Sequence, residues 1–157
     1  MRYGYKNGLV ILSEWAKKEG FKEVIFDHND ISLIDWEKNT LNEPLIIKIE
    51  GKYSYEEQVY LLLHELGHHQ LRKRWDKFNR ILPVLAFAEE LQHYNKIGKY
   101  KRGLSYNISC LEEEFKAWEE GYKLGIKLGI KINDIKWNKL KSKCLIGYIR
   151  YYGNKKN

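Results

Sequence analysis

The chain has 157 residues, is 43% hydrophobic and 14% aromatic, and carries five Trp and twelve Tyr, which excludes a disordered or low-complexity protein. No apolar run approaches the roughly 20 residues of a membrane span, MRYGYKNGLV has no signal-type apolar region, and Cys110 and Cys144 make no disulfide framework, so a cytoplasmic protein without membrane association is expected. The net charge of +7 is concentrated: residues 121–157 hold 10 Lys/Arg against one acid, Asp134, while residues 1–120 hold 18 against 20.

In chain order, Gly8 to Glu19 reads as a helix ended by Gly20. Phe21 to Asp27 reads as a strand, His28-Asn29-Asp30 as a turn, and Ile31 to Trp36 as a second strand. Lys38 to Pro44 is a loop, and Leu45 to Glu50 is the clearest strand, closed by Gly51. Ser54 to Lys73 is one helix, with Ser54 and Glu57 at capping-box spacing. Asp76 to Asn95 is mostly helical, with Pro83 near its start or at a kink. Ile97 to Tyr106 is a basic loop. Asn107 or Ser109 caps a helix from Leu111 to about Leu128, and Asn133 to Tyr152 is the last helix. The fold class is α+β, a single domain over 1–157. Residues 1–53 supply a helix and a small sheet of about three strands, and the all-helical 54–157 carries the chemistry.

That chemistry centres on His64, Glu65 and His68, spaced H-E-x-x-H within an apolar stretch that includes Val59, Tyr60, Leu61, Leu62, Leu63 and Leu66. Positions four apart share a helix face, so both imidazoles can reach one metal ion. Glu65, one residue after His64, can act on water beside the metal without ligating it. A histidine six residues after His68 is absent, because Arg74 stands there. A third ligand must come from elsewhere, and the acidic helix EEEFKAWEEG offers one. Its apolar stripe runs through Ile108, Leu111, Phe115, Trp118 and Tyr122. On that stripe Glu114 lies roughly 70° from the centre, Glu112 about 90°, and Glu113 on the opposite face. Glu114 is therefore the preferred ligand and Glu112 the second choice, with His93 and Cys110 as weaker alternatives; Glu113 is assigned to solvent and the helix dipole. His69 points away from His68 and is read as a surface or supporting group.

HELGH on one helix and EEFKAWEEG on a later one resemble the gluzincin type of HExxH zinc metallopeptidase, above all its compact intracellular and phage- or mobile-element-encoded members. The resemblance spans roughly Leu45 to Gly125. It implies a zincin-like fold in which a twisted sheet precedes the motif helix. It also implies that Leu45 to Glu50 lies close to a cleft whose edge strand pairs with extended substrate. By the same resemblance His64, His68 and Glu114 bind Zn²⁺, and Glu65 is the catalytic base. Many members carry an Asp near the downstream ligand as its supporting partner. Here Ala117 and Trp118 occupy those positions.

The expected activity is hydrolysis of a peptide bond in a protein or peptide substrate. Tyr148, Arg150, Tyr151, Tyr152 and His93 are candidate oxyanion donors, and spacing does not choose among them. The alternative is a regulatory zinc-binding module that holds a protein or nucleic-acid partner. The lysines Lys136, Lys139, Lys141 and Lys143 are too closely spaced to share one narrow face, so no strong sequence-specific nucleic-acid binding is expected.

Overall fold

The computed structural model describes residues 4–27, 33–34, 45–93 and 103–153. These form helix α1 (Tyr5–Lys18), strands β1 (Glu23–Asp27), β2 (Leu33–Ile34) and β3 (Ile46–Glu50), and helices α2 (Tyr55–Arg72), α3 (Trp75–Ile81), α4 (Pro83–His93), α5 (Leu104–Lys127) and α6 (Asp134–Gly153). The class is α+β, and helix predominates. No helix among the described residues is long and apolar enough to cross a membrane.

Helix α1 starts at Tyr5, three residues before the expected Gly8. It ends where expected: Gly20 adopts φ +101°, a left-handed conformation that glycine takes without a Cβ penalty. The Phe21 N–H then donates back to the Ala16 carbonyl at 3.1 Å. The expected turn at His28 and loop at Lys38–Pro44 lie outside the described residues.

The sheet has the order β1-β3-β2. β3 runs parallel to β1, with Val24 opposite Ile47 and Phe26 opposite Ile49, and antiparallel to β2, with Ile34 also opposite Ile47. The strand expected at Leu45 to Glu50 is thus β3, the middle strand of the described sheet. Alternation along β3 buries Ile47 and Ile49 fully, and they join the core cluster that contains the apolar face of α2.

Helix α2 begins at a complete capping box. The Glu57 carboxylate accepts from the Ser54 N–H (3.1 Å), and the Ser54 Oγ accepts from the Glu57 N–H. The buried Gln58 amide donates to the carbonyls of Gly51 (3.0 Å) and Tyr53 (2.7 Å), which ties the helix start to the turn after β3. Residues Gln58 to His68 are buried without a break, so α2 is a central helix wrapped on several sides.

The expected single helix 76–95 is two helices. Leu82 breaks it, and Pro83 opens α4, where proline's missing N–H costs nothing. The helix expected from Leu111 begins at Leu104 after Gly103, so Asn107 and Ser109 are buried positions inside it rather than caps. Residues 104–106 of the expected loop are helical. In α6 the lysines diverge: Lys136 pairs with Glu56 at 2.5 Å, Lys141 lies over Phe115, and Lys143 over Tyr53.

Candidate metal centre

The site forms where α5 crosses α2. The crossing is a backbone contact: a Cβ on Gly67 would stand 2.0 Å from the Ala117 carbonyl oxygen, and one on Gly121 2.2 Å from the Leu63 carbonyl oxygen. Only glycine at both positions permits that approach. It places the α5 face bearing Glu113, Glu114, Ala117, Trp118 and Gly121 directly on the histidine face of α2.

His64, His68 and Glu114 come together. One ligand atom from each lies within 4.8 Å of the others. Glu114 Oε2 is 3.2 Å from His64 Nε2, and Glu114 Oε1 is 3.5 Å from His68 Nε2. Both histidines are buried. Glu112 is not part of the group: its side chain is half exposed and pairs with Lys116 at 3.5 Å. Cys110 packs with a second apolar cluster near Tyr106. The side chain of His93 lies outside the described residues.

Glu113 corrects the sequence reading most. It is buried, not on the solvent face. Its Oε1 accepts from His68 Nδ1 at 3.1 Å and from Arg72 Nε at 2.8 Å, and its Oε2 accepts from Arg72 Nη2 at 2.9 Å. Arg72 Nη1 also donates to Glu89 of α4 at 2.5 Å. Two residues of the apolar stripe of α5, Ile108 and Phe115, are exposed, while Trp118 is fully buried. The buried face is centred about a third of a turn away and combines Glu113, Ala117, Gly121 and Gly125 with Trp118 and Leu124. The signal for it is the spacing of Ala117 and Gly121, which face Gly67, and of Gly125, which packs on Leu63 and Ile132.

The two histidines are oriented differently. The His64 ring stacks on Trp118 with centroids 4.5 Å apart and planes at 21°. Trp118 in turn meets Trp137 edge-on at 5.0 Å. His64 Nδ1 is buried without a hydrogen-bond partner, so stacking sets this ring's direction. His69 is no surface group: its Nε2 lies 3.1 Å from Glu19 Oε2, and its ring packs edge-on against Phe21 at 4.9 Å.

The electrostatics follow from burial and pairing. Burial raises Glu65, and the nearby carboxylates of Glu114 and Glu113 add to it, so its pKa is pushed up to about 7 even against His68. Burial also opposes charge on Glu114, but His64 and His68 outweigh it and hold the carboxyl well below the usual range. Glu113 is likewise lowered, by His68 and Arg72 against burial. His64 is lowered by burial. His68 is raised despite burial, because Glu113 and Glu114 flank it. The donor set fits a bound cation: the ionised Glu114 carboxylate lies between two imidazole nitrogens, at 3.2 Å from His64 Nε2 and 3.5 Å from His68 Nε2, whereas the charge of Glu113 is already met by Arg72. From α6, Cys144 and Tyr148 approach the group. Burial, then the Glu114 carboxylate, raises the Cys144 thiol to about 11, and burial, Glu114 and Glu65 together hold the Tyr148 phenol neutral across the physiological range.

Comparison with protein-family models, with curated proteins and with solved structures finds no match for this chain.

Proposed function

We propose that this chain is a zinc-dependent metallopeptidase of zincin-like architecture, with His64, His68 and Glu114 as zinc ligands and Glu65 as general base. The observation that carries the reading is the convergence of His64, His68 and Glu114 with Glu65 beside them at a pKa of about 7. Two imidazoles and one carboxylate are a zinc donor set that leaves a coordination position open. Zinc bound there supplies Lewis acidity, which lowers the pKa of water and polarises a carbonyl.

The rest is the work of the chain's own residues. A carboxyl group titrating near neutrality is matched to moving protons at physiological pH. Glu65 takes a proton from the attacking water and returns it to the leaving amine. Tyr148, kept protonated by burial and by the carboxylates beside it, is the hydrogen-bond donor available to the developing oxyanion. Trp118 holds His64 in place by stacking.

A second reading, a non-catalytic zinc module that binds a protein or nucleic-acid partner, is favoured by the depth of the site. His64, Glu65 and His68 are each less than one-tenth exposed. The experiment that separates the two compares zinc-loaded wild type with Glu65→Gln on a cell lysate, reading new peptide N-termini by mass spectrometry. Cleavage by wild type alone, at equal zinc content, supports the peptidase. No new termini from either supports the module.

A further inference from the structure

His68 is gripped at both ring nitrogens by consecutive residues of one helix. Nε2 faces Glu114 and the centre of the ligand group, while Nδ1 donates to Glu113 at 3.1 Å. Glu113 is itself held by Arg72 through two parallel bonds of 2.8 and 2.9 Å, a geometry that fixes the carboxylate plane. A buried ion pair is an inefficient way to join two helices, since its desolvation offsets most of the attraction. The Arg72–Glu113 pair, with both side chains mostly buried, therefore calls for a reason beyond adhesion. Oxygen Oε1 of Glu113 supplies one, because it accepts from Arg72 and His68 at once.

We propose that Glu113 and Arg72 are positioning residues that prepare His68 for metal. Glu113 accepts the Nδ1 proton, which leaves the Nε2 lone pair directed at the ligand group. Arg72 acts only through Glu113, keeping its carboxylate ionised and in plane. Histidine ligands in metal sites depend on such outer partners. The device is asymmetric, since the Nδ1 of His64 has no partner and its ring is set by Trp118. It also moves the supporting carboxylate to the residue just before the ligand, since positions 117 and 118 carry Ala and Trp. This inference rests on the metal-centre reading above.

The test is zinc affinity by chelator competition on the full chain, for wild type, Glu113→Gln, Arg72→Gln and the double variant, with the thermal midpoint of each metal-free protein. Glu113→Gln should weaken zinc by about 10- to 100-fold. Arg72→Gln should weaken it by less, and should have no further effect once Glu113 is Gln. A pair that only joined α2 to α5 would lower the midpoints and leave zinc affinity unchanged. Wild-type affinity in Glu113→Gln, or an undiminished cost of Arg72→Gln in that background, overturns the proposal. If Glu113→Gln does not fold, Arg72→Lys decides alone: it keeps the charge and loses the fork, and unchanged zinc affinity overturns the proposal. Absence of zinc binding in wild type would remove the metal centre itself, an outcome distinct from equal binding by wild type and variants.

Discussion

Gly67 and Ala117 are in backbone contact, so that any side chain at 67 would drive into the Ala117 carbonyl. This contact brings α5 close enough to present Glu113 to one nitrogen of His68 and Glu114 to the other. The glycine inside the HELGH motif is thus explained by helix packing, not by metal chemistry.

Gly67→Ala should therefore be severe, because the clash is with main chain and neither helix can shift without opening the site. A loss of at least about 3 kcal/mol is expected, at the upper end for overpacking. Gly147→Ala is the internal control: nothing lies within 4 Å of a Cβ there, and the residue is mid-helix. It should be neutral or stabilise by roughly 0.5–1 kcal/mol. Urea unfolding of the two variants checks both, and equal stabilities would refute the close-crossing explanation.

Glu114→Ala should lower zinc affinity at least about tenfold, the minimum expected when even an outer partner is lost. Glu112→Ala should leave it unchanged, because Glu112 faces solvent and Lys116. Isothermal titration with zinc distinguishes them, and the reverse order would show that the wrong carboxylate has been assigned.

Much of this site was legible from local sequence. The capping box at Ser54 and Glu57, the four-residue spacing of His64 and His68, and the stop at Gly20 are all short-range features, and local geometry decides them. Glu114 follows from the apolar stripe of α5 as well, although that stripe is exposed at Ile108 and Phe115. Periodicity of large apolar residues locates a face that buries large side chains. At this close helix crossing the buried face instead combines glycine, alanine and Glu113 with Trp118 and Leu124, so Glu113 lies inward although the large apolar residues point it to solvent. The middle position of β3 depends on a parallel pairing with β1 about twenty residues away, which no local pattern encodes.

In the metal-free protein the carboxylates set an acid limit to stability. Glu113 and Glu114 have folded pKa values below their ordinary 4.5. Their contribution is fully present above 4.5 and is lost as pH falls through the lowered folded values. Urea midpoints should thus fall steadily below pH 4.5, and the fall should be shallower in Glu114→Gln. A wild-type midpoint that holds constant from pH 5 to pH 3 would contradict the paired arrangement.

Tyr148→Phe removes the phenolic donor beside Glu114 and Glu65 while keeping the ring. On the peptidase reading, kcat should fall by about 10²–10³, the usual cost of one lost oxyanion donor, with zinc content unchanged. Steady-state kinetics with metal analysis provides the check. An unaltered kcat would exclude Tyr148 from that role and direct attention to another donor.

Whether His64, His68 and Glu114 together hold one zinc ion is open to direct observation. Crystals grown with zinc, with anomalous differences recorded on both sides of the zinc absorption edge, test it most directly. One strong peak is expected about 2.0–2.2 Å from His64 Nε2, His68 Nε2 and a Glu114 carboxylate oxygen, with Glu65 outside bonding distance and Glu113 still on His68 Nδ1. A peak ligated by other residues, or no peak at this crossing in crystals that hold zinc elsewhere, would contradict it.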